Sequence, residues 1–433
     1  MSFLIPAHAA RSGDDPIFAL NSEANARARA GEPIINATVG ALLDDEGRLA
    51  VLPTMAEALR AVPAEVVAGY APIAGPDDFR RAVVTDLLGD RPSQAEGHPQ
   101  TPAARSAVAV ATPGGTGAIR LAFSNFLEPG QAVLTSSFYW SPYKTLADDA
   151  GRKLETFRMF DERGRLDTAD FDRQLGRQLT TQGRALAILN SPCHNPTGYS
   201  FDDEEWKALV SVIDHHASRG PVALVLDVAY ARYGAGDLGA AIDRVLPLSG
   251  KALVTFTWSA SKSFTEYGLR VGALVAVHPE AAERERLFNA FAYACRGTWS
   301  NCNAGGMAAV TRVLTDPELR ARVDRERAAL KGLLDRRVAA WNARALPAGL
   351  RYPRYDGGFF TTVFCDDTGQ AGGHPQSPAT ASARLRAEGV FVVPVAGALR
   401  VALCSVAERD VPRLVDSIAR ALGGTGAARP AHP

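Results

Sequence analysis

The sequence is poor in the features that would mark a secreted scaffold, a membrane protein or a nucleic-acid binder. Its five cysteines (Cys193, Cys295, Cys302, Cys365 and Cys404) are few, odd in number and never spaced C-x-x-C. That pattern argues against a disulfide framework and a zinc ribbon, and it makes a reducing cytoplasm the natural setting. No stretch approaches the roughly 18 uninterrupted apolar residues of a membrane helix. The opening MSFLIPAHAARSGDDP has no basic leader and an apolar run of only four residues, so no secretory signal is expected, although Ala-His-Ala mimics a cleavage site. Net charge is missing too: 47 lysines and arginines balance 47 aspartates and glutamates. A polyanionic partner such as nucleic acid is therefore not expected. No internal repeat is apparent.

What is present is material for a large core: 433 residues, 46% of them hydrophobic, enough for two domains. Strand-like and helix-like segments alternate through the middle of the chain, the pattern of an α/β domain with a mostly parallel sheet flanked by helices. SAVAVAT (106–112) and QAVLTSS (131–137) read as strands with the helix GAIRLAFSNFL between them. RALAILNS (184–191), PVALVLDVA (221–229) and KALVTFTWS (251–259) are near-continuous apolar runs, as expected of strands covered on both faces. DDEEWKALVSVIDHHASRG reads as a helix with an acidic first turn and Gly220 past its end. After residue 280 long charged helical stretches appear, then short strands (GGFFTTVFC, GVFVVPV, LRVALCSV) and a last helix. The expected division is a large domain over 50–325 and a smaller α/β domain built from 1–49 and 326–433. Residues 92–103 and the tail 423–433 read as a surface loop and a frayed end.

Five segments carry chemistry. In TWSASKSFTEYGLRVGALVA (257–276), Ser259, Ser261 and Lys262 follow directly on an apolar strand, and Arg270 comes eight residues after the lysine. Hydroxyls and a guanidinium can hold a phosphate while the amine reaches an aldehyde carbon, as an imine-forming site requires. An ordinary solvated lysine in a serine-rich loop is the competing reading. LNSPCHNPTG (189–198) follows a second strand, and Asn195 in its sharp turn can donate into the crevice where open α/β sheets bind ligands. His194 beside it reads as structural, for want of another ligand at metal spacing.

In LVLDVAYARYG (224–234), Asp227 ends a third apolar strand and Tyr230 lies three residues on. A carboxylate there is expensive unless something cationic pairs with it, and a protonated pyridine nitrogen is such a partner. A helix cap is the plainer alternative. Finally, VATPGGTGAIRLAF (110–123) places Gly115 and Thr116 at a helix N-terminus, an anion site that lacks both the P-loop spacing and the third glycine of a dinucleotide fingerprint. Further on, SSFYWSPY puts Trp140 just beyond a strand, where an indole can stack on a planar ring or simply fill core.

Taken together, GGTGA, YW-x-x-Y, HNPTG, D-x-A-Y, S-x-SK and the arginine eight after the lysine resemble the fold-type I aminotransferases of class I. TVGALLDDEGRLAVLPTM and GYAPIAGPDDFR resemble their aspartate and aromatic branch in particular, and the resemblance spans roughly residues 15–420. It implies pyridoxal 5'-phosphate as cofactor, Lys262 as its covalent anchor, and Tyr230 and Asn195 at the ring's phenolic oxygen. It also implies a homodimer with shared active sites, in which Tyr70 reaches the cofactor phosphate of the neighbouring subunit. Arg400 matches the arginine for the substrate α-carboxylate, Gly40 the glycine lying over it, and Arg296 the arginine for a distal carboxylate. Three departures stand out: Gly114 where serine is common, Trp299 where tyrosine is usual, and YWSPYK in place of the aspartate enzymes' W-G-N-H run.

The implied activity is transfer of an amino group from an L-amino acid, aspartate or glutamate or an aromatic one, to a 2-oxo acid such as 2-oxoglutarate. Lys262 would shuttle the proton between two carbons. A β-lyase or cyclising lyase would use the same Lys262, Asp227 and Arg400 and is an open alternative. A non-catalytic regulatory homologue is a second, for which the segment before residue 35 is expected to leave no room for a DNA-binding domain.

Overall fold

The computed structural model describes residues 2–9, 11, 13, 16–89, 91, 102–235, 238–365 and 377–423. Most of the expected surface loop at 92–103, and all of the tail beyond Gly423, lie outside these residues. The chain forms two compact units: 50–333 with 354–358, and 1–49 with 334–353 and 359–433.

The larger unit is built on seven strands: β1 (Ala107–Pro113), β2 (Ala132–Ser136), β3 (Lys153–Phe157), β4 (Ala185–Asn190), β5 (Val222–Asp227), β6 (Leu253–Ser259) and β7 (Val271–Val277). Their order across the sheet is β1-β7-β6-β5-β4-β2-β3. All neighbours are parallel except β7, which runs antiparallel to both β1 and β6. This is the expected mostly parallel α/β sheet.

The apolar runs reflect burial on both faces. Successive side chains of a strand point to opposite sides. Accordingly Leu186 and Ile188 of β4 pack with Ile119, Phe123 and Tyr143 on one face, while Ala187 and Leu189 join Phe79, Leu175 and Leu209 on the other. Helix α1 (Gly114–Phe126) and helix α2 (Pro142–Asp149) supply the first face. Thr168–Gln182 and Asp203–Ala217 supply part of the second. The second of these carries a capping box between Asp202 and Glu205 at its start.

Two strands escaped the sequence reading. β3 is an edge strand with only Phe157 fully buried, so it shows no apolar run. VGALVAV of β7 is buried throughout and runs on directly from the segment that carries Lys262 and Arg270. Helix α1 also begins at Gly114 rather than Gly117, since glycines do not announce a helix.

In the smaller unit Ile35–Asn36 pairs in parallel with Val390–Phe391. Val393–Val395, Ala398–Val401 and Thr361–Phe364 form an antiparallel sheet. GVFVVPV, expected as one strand, is thus split at Val392 because its two halves pair with different partners. LRVALCSV leaves its strand at Val401 and passes into a 3-10 turn at Leu403–Ser405. Arg337, wholly buried, ties this unit together by donating to the carbonyls of Cys404 (2.8 Å) and Leu43 (2.9 Å) and to Asp45 (2.7 Å). Among the described residues no helix is long and apolar enough to cross a membrane.

Candidate active site

Parallel strands deliver their carboxyl ends to one edge of the sheet, and in this chain those ends carry polar residues. Register aligns Asn190 of β4 with Asp227 of β5, and Asp227 with Thr257 of β6. The pocket at this edge is lined by Gly115, Thr116, Trp140, Asn195, Asp227, Tyr230, Ser259, Ser261, Lys262 and Arg270, together with Ile119, Asn190, Ala229 and Tyr267. Five segments far apart in sequence therefore meet at one place, as ligand sites in open α/β sheets do.

One end of the pocket is cationic and rich in donors. Helix α1 has no side-chain cap at its N-terminus, which leaves its first N–H groups available to an anion. Its Gly115 lies against Ser259, where an added Cβ would come 3.6 Å from the serine Cβ. Arg270 is drawn in by the Tyr267 carbonyl (2.9 Å) and the Ser261 hydroxyl (3.3 Å). Gly114, the departure from the usual serine, has φ +70°, and a Cβ there would sit 2.5 Å from Arg270 Nη2. Glycine is what this close approach of backbone to guanidinium requires.

The other end is built around a buried carboxylate. Asp227 accepts from the Tyr143 hydroxyl at 2.6 Å through Oδ2, and from the Thr257 hydroxyl and the Ala229 N–H at 3.2 Å through Oδ1. Burial pushes its carboxyl above the ordinary value, against the pull of Tyr143, Ala229 and Thr257. The next strand steadies this one: Asn190 donates to the Asp227 carbonyl (2.7 Å) and accepts from the Asn195 N–H (2.6 Å). Asn195 Nδ2 stands 3.4 Å from the Tyr230 hydroxyl. Its Oδ1 is buried without a hydrogen-bond partner among the described residues. That capacity is left for a ligand.

Between the two ends stands Lys262, on the short helix α3 (Ala260–Ser263) that continues β6. Its Nζ lies 4.4 Å from the centre of the Tyr267 ring and 5.7 Å from that of Tyr230. Arg327 grips the same turn from behind, donating to the Ser263 carbonyl at 3.1 Å. His194 is buried between Thr197 (2.8 Å) and Ser136 (3.4 Å), and burial lowers its pKa to about 3.

The remaining expected site residues are not among those that line this pocket. Tyr70 is almost wholly exposed, at 96%. Arg296, in the last turn of helix α4 (Ala281–Thr298), is exposed and donates to Ser300 at 2.6 Å. Gly40 and Arg400 belong to the smaller unit, where both meet Phe360. A Cβ on Gly40 would collide with that ring, and the Arg400 guanidinium lies over it at 4.7 Å while donating to the Thr38 carbonyl at 2.5 Å.

Sequence reasoning missed Asn190, Thr257, Tyr143 and Tyr267. Asn190 was within reach, as the last residue of an apolar strand. Thr257 shows itself only once strand register is known. Tyr143 and Tyr267 stood inside quoted motifs with no role attached.

The pocket thus offers an anion cradle, a buried carboxylate suited to a protonated ring nitrogen, an amide with spare capacity, and an amine between them. A phosphorylated aromatic aldehyde with a basic ring nitrogen fits all four.

Comparison with known proteins agrees. The family model described as aminotransferase class I and II matches residues 32–418. An aspartate aminotransferase of Pseudomonas aeruginosa is 32% identical over 317 residues, 72% of this chain and 75% of that one. An aromatic-amino-acid aminotransferase of Paracoccus denitrificans is 30% identical over 71% of this chain and 74% of its own. Among solved structures, an aminotransferase from Anaerococcus prevotii superposes with a TM-score of 0.88 at 30% identity, covering 98% of this chain and 100% of that one. An aromatic-amino-acid aminotransferase from Burkholderia pseudomallei, covalently bound to pyridoxal phosphate, does so with a TM-score of 0.78 at 26% identity and the same coverage.

Proposed function

This chain belongs to the class I and II aminotransferases, and from that premise we propose how its residues divide the work and which substrates they serve. It is a pyridoxal-phosphate-dependent transaminase, a transferase acting on amino and 2-oxo acids. The observation that carries the residue roles is the meeting of Lys262, Asp227 and the Arg270 cradle in one pocket.

Gly115, Thr116, Ser259, Ser261 and Arg270 would hold the cofactor phosphate, and Trp140 would lie against its ring. Asn195 and Tyr230 would hold the ring oxygen, and Asp227 the ring nitrogen. When bound, the cofactor supplies an electron sink for the bond broken at the substrate α-carbon. Lys262 is proposed as the covalent anchor at rest and, once released, as the single base that takes the α-proton and returns it to the cofactor's carbonyl carbon. One mobile amine would suffice for both transfers, since Lys262 stands between the two ends of the pocket. The Tyr267 and Tyr230 rings beside Nζ suit an amine that is cationic for part of the cycle.

For substrate, Arg400 is proposed to take the α-carboxylate as a bidentate pair under the Gly40 backbone, and Arg296 the distal carboxylate of aspartate or glutamate. An aromatic donor is the second candidate, favoured by the 30% identity to the Paracoccus enzyme. 2-Oxoglutarate is the proposed acceptor and amino-acid biosynthesis the proposed setting. Five buried free cysteines support a cytoplasmic location. A homodimer is proposed on the resemblance, and Tyr70, Val67 (57%) and Tyr293 (85%) are large apolar side chains left exposed on the larger unit. Tyr70 is the residue proposed to serve a neighbouring subunit's phosphate.

The test is a half-reaction. The loaded protein is mixed with single amino acids and no oxo acid, and the spectrum is followed. Stoichiometric conversion to pyridoxamine phosphate with aspartate, glutamate or an aromatic amino acid is expected. Sustained release of ammonia or an eliminated product would make it a lyase instead.

A further inference from the structure

Asp227 is held from three sides, and the three donors differ. The two on Oδ1, from Thr257 and Ala229, are both at 3.2 Å, whereas Tyr143 reaches Oδ2 at 2.6 Å. Tyr143 comes from the first turn of α2, not from the strands that bear the other pocket residues, and it is buried to 1% exposure. Its ring packs edge-on against Trp140, with centroids 5.6 Å apart and planes at 88°. Burial first, and then the neighbouring charge of Asp227, push its phenol well above the usual tyrosine range. That shift favours the neutral hydroxyl, which donates to the carboxylate. Nothing in the proposed chemistry yet uses it.

Asp227 and the ring nitrogen of the bound cofactor would share one proton. It sits on nitrogen if the carboxylate is the weaker base, and on oxygen if it is the stronger one. We propose that Tyr143 is a positioning residue for this proton: by donating to Asp227 Oδ2 it keeps the carboxylate anionic and leaves the proton on the ring. The proposal rests on the cofactor assignment above. A hydrogen bond to a charged group shifts such an equilibrium roughly 10- to 100-fold, so its loss is large enough to move a shared proton. The desolvated site amplifies the effect, because no water can replace the missing donor.

The test uses holoenzyme loaded with pyridoxal phosphate labelled with ¹⁵N in the ring, and reads the nitrogen's NMR shift. In the wild type a protonated nitrogen is expected. Tyr143→Phe keeps the ring that packs on Trp140 and removes only the hydroxyl. Its signal is expected to move toward the unprotonated position, and Tyr143→His, which restores a donor, to bring it back. A Tyr143→Phe enzyme that binds cofactor more weakly but keeps the wild-type nitrogen signal would make the tyrosine merely structural and overturn the proposal. Should that variant not fold, Thr257→Val removes a longer donor to the same carboxylate. A smaller displacement in the same direction is then expected, and an unmoved signal would overturn the proposal equally. A wild-type protein that takes up no cofactor at all would sink the underlying assignment too, and that outcome is distinguishable from every other.

Discussion

The strongest structural prediction concerns Asp86, which packs beside the turn that carries Lys262. Its carboxylate, with 5% of the side chain exposed, is shared by Arg232 (2.9 Å), Arg320 (2.7 Å) and the Trp258 indole N–H (2.9 Å). Trp258 is on β6, four residues before Lys262, and Arg327, which grips the turn after Lys262, belongs to the same cluster of charges. Asp86→Ala leaves two guanidiniums facing each other and an indole N–H without its acceptor. Breaking a buried ion pair from one side costs about 3–5 kcal/mol. Arg320 and Arg232 retain 26% and 32% of their side-chain surface in water, so the lower end, about 3 kcal/mol, is expected here. At a urea dependence of roughly 3 kcal/mol per molar, that is a midpoint lowered by about 1 M.

The assay is urea unfolding of the apo-protein followed by tryptophan fluorescence. Asp86→Asn, which keeps an acceptor for the indole, should fall between wild type and Asp86→Ala. A midpoint for Asp86→Ala within experimental error of wild type would refute the reasoning. The pH dependence has a definite sign. Burial raises the Asp86 carboxyl, but the Arg232 and Arg320 charges and the indole outweigh it, so the folded value is below the ordinary one. A depressed acid stabilises the fold above its unfolded pKa of about 3.9 and loses that contribution as pH falls through the folded value. The difference between wild type and Asp86→Asn should therefore be constant from pH 5 to 8 and shrink only below about pH 4.

Lys262→Ala should reduce turnover to background and remove the borohydride-trappable link to the cofactor; mass spectrometry finding that link on another lysine would remove Lys262 from its role. Gly114→Ser should weaken cofactor binding about tenfold, since φ +70° strains any side chain by about 1–2 kcal/mol and the new Cβ meets Arg270. Cofactor affinity unchanged by fluorescence titration would show that the cradle tolerates it. Arg296→Ala should lower kcat/KM for aspartate by about 10- to 100-fold and leave an aromatic amino acid nearly untouched, the loss expected of one charged contact. Equal losses on both substrates would show that this arginine does not read a distal carboxylate.

Burial made most of the large sheet legible, though not β7, which is buried throughout and still went unread. β4, β5 and β6 are covered on both faces, so their apolar runs stand out, and the polar residues that end them (Asn190, Asp227 and Ser259) fall at one edge by geometry alone. β3 was illegible because an edge strand exposes half its residues. The division of GVFVVPV between two sheets was illegible because periodicity does not name a partner. In the pocket, the lysine, its serines and Arg270 declared themselves by local spacing. Tyr143 did not, because its importance comes from a hydrogen bond to Asp227, a contact between residues 84 apart in sequence.

The charges in the pocket are sorted by element, and this bears on what the pocket accepts. The anion end is assembled from α1, the end of β6 and the start of β7, with Arg270 as its fixed cation. The carboxylate end belongs to β5, supported by neutral donors from α2 and β6. A ligand with a phosphate but no basic ring nitrogen would satisfy the first end and leave a desolvated carboxylate facing an uncharged atom, which costs about as much as any unpaired buried charge. A ligand that is anionic at one end and cationic at the other answers both at once. The discrimination thus lies as much in the burial of Asp227 as in the grip of Arg270, and an enzyme that exposed this carboxylate to water would bind phosphates with far less regard for what they carry.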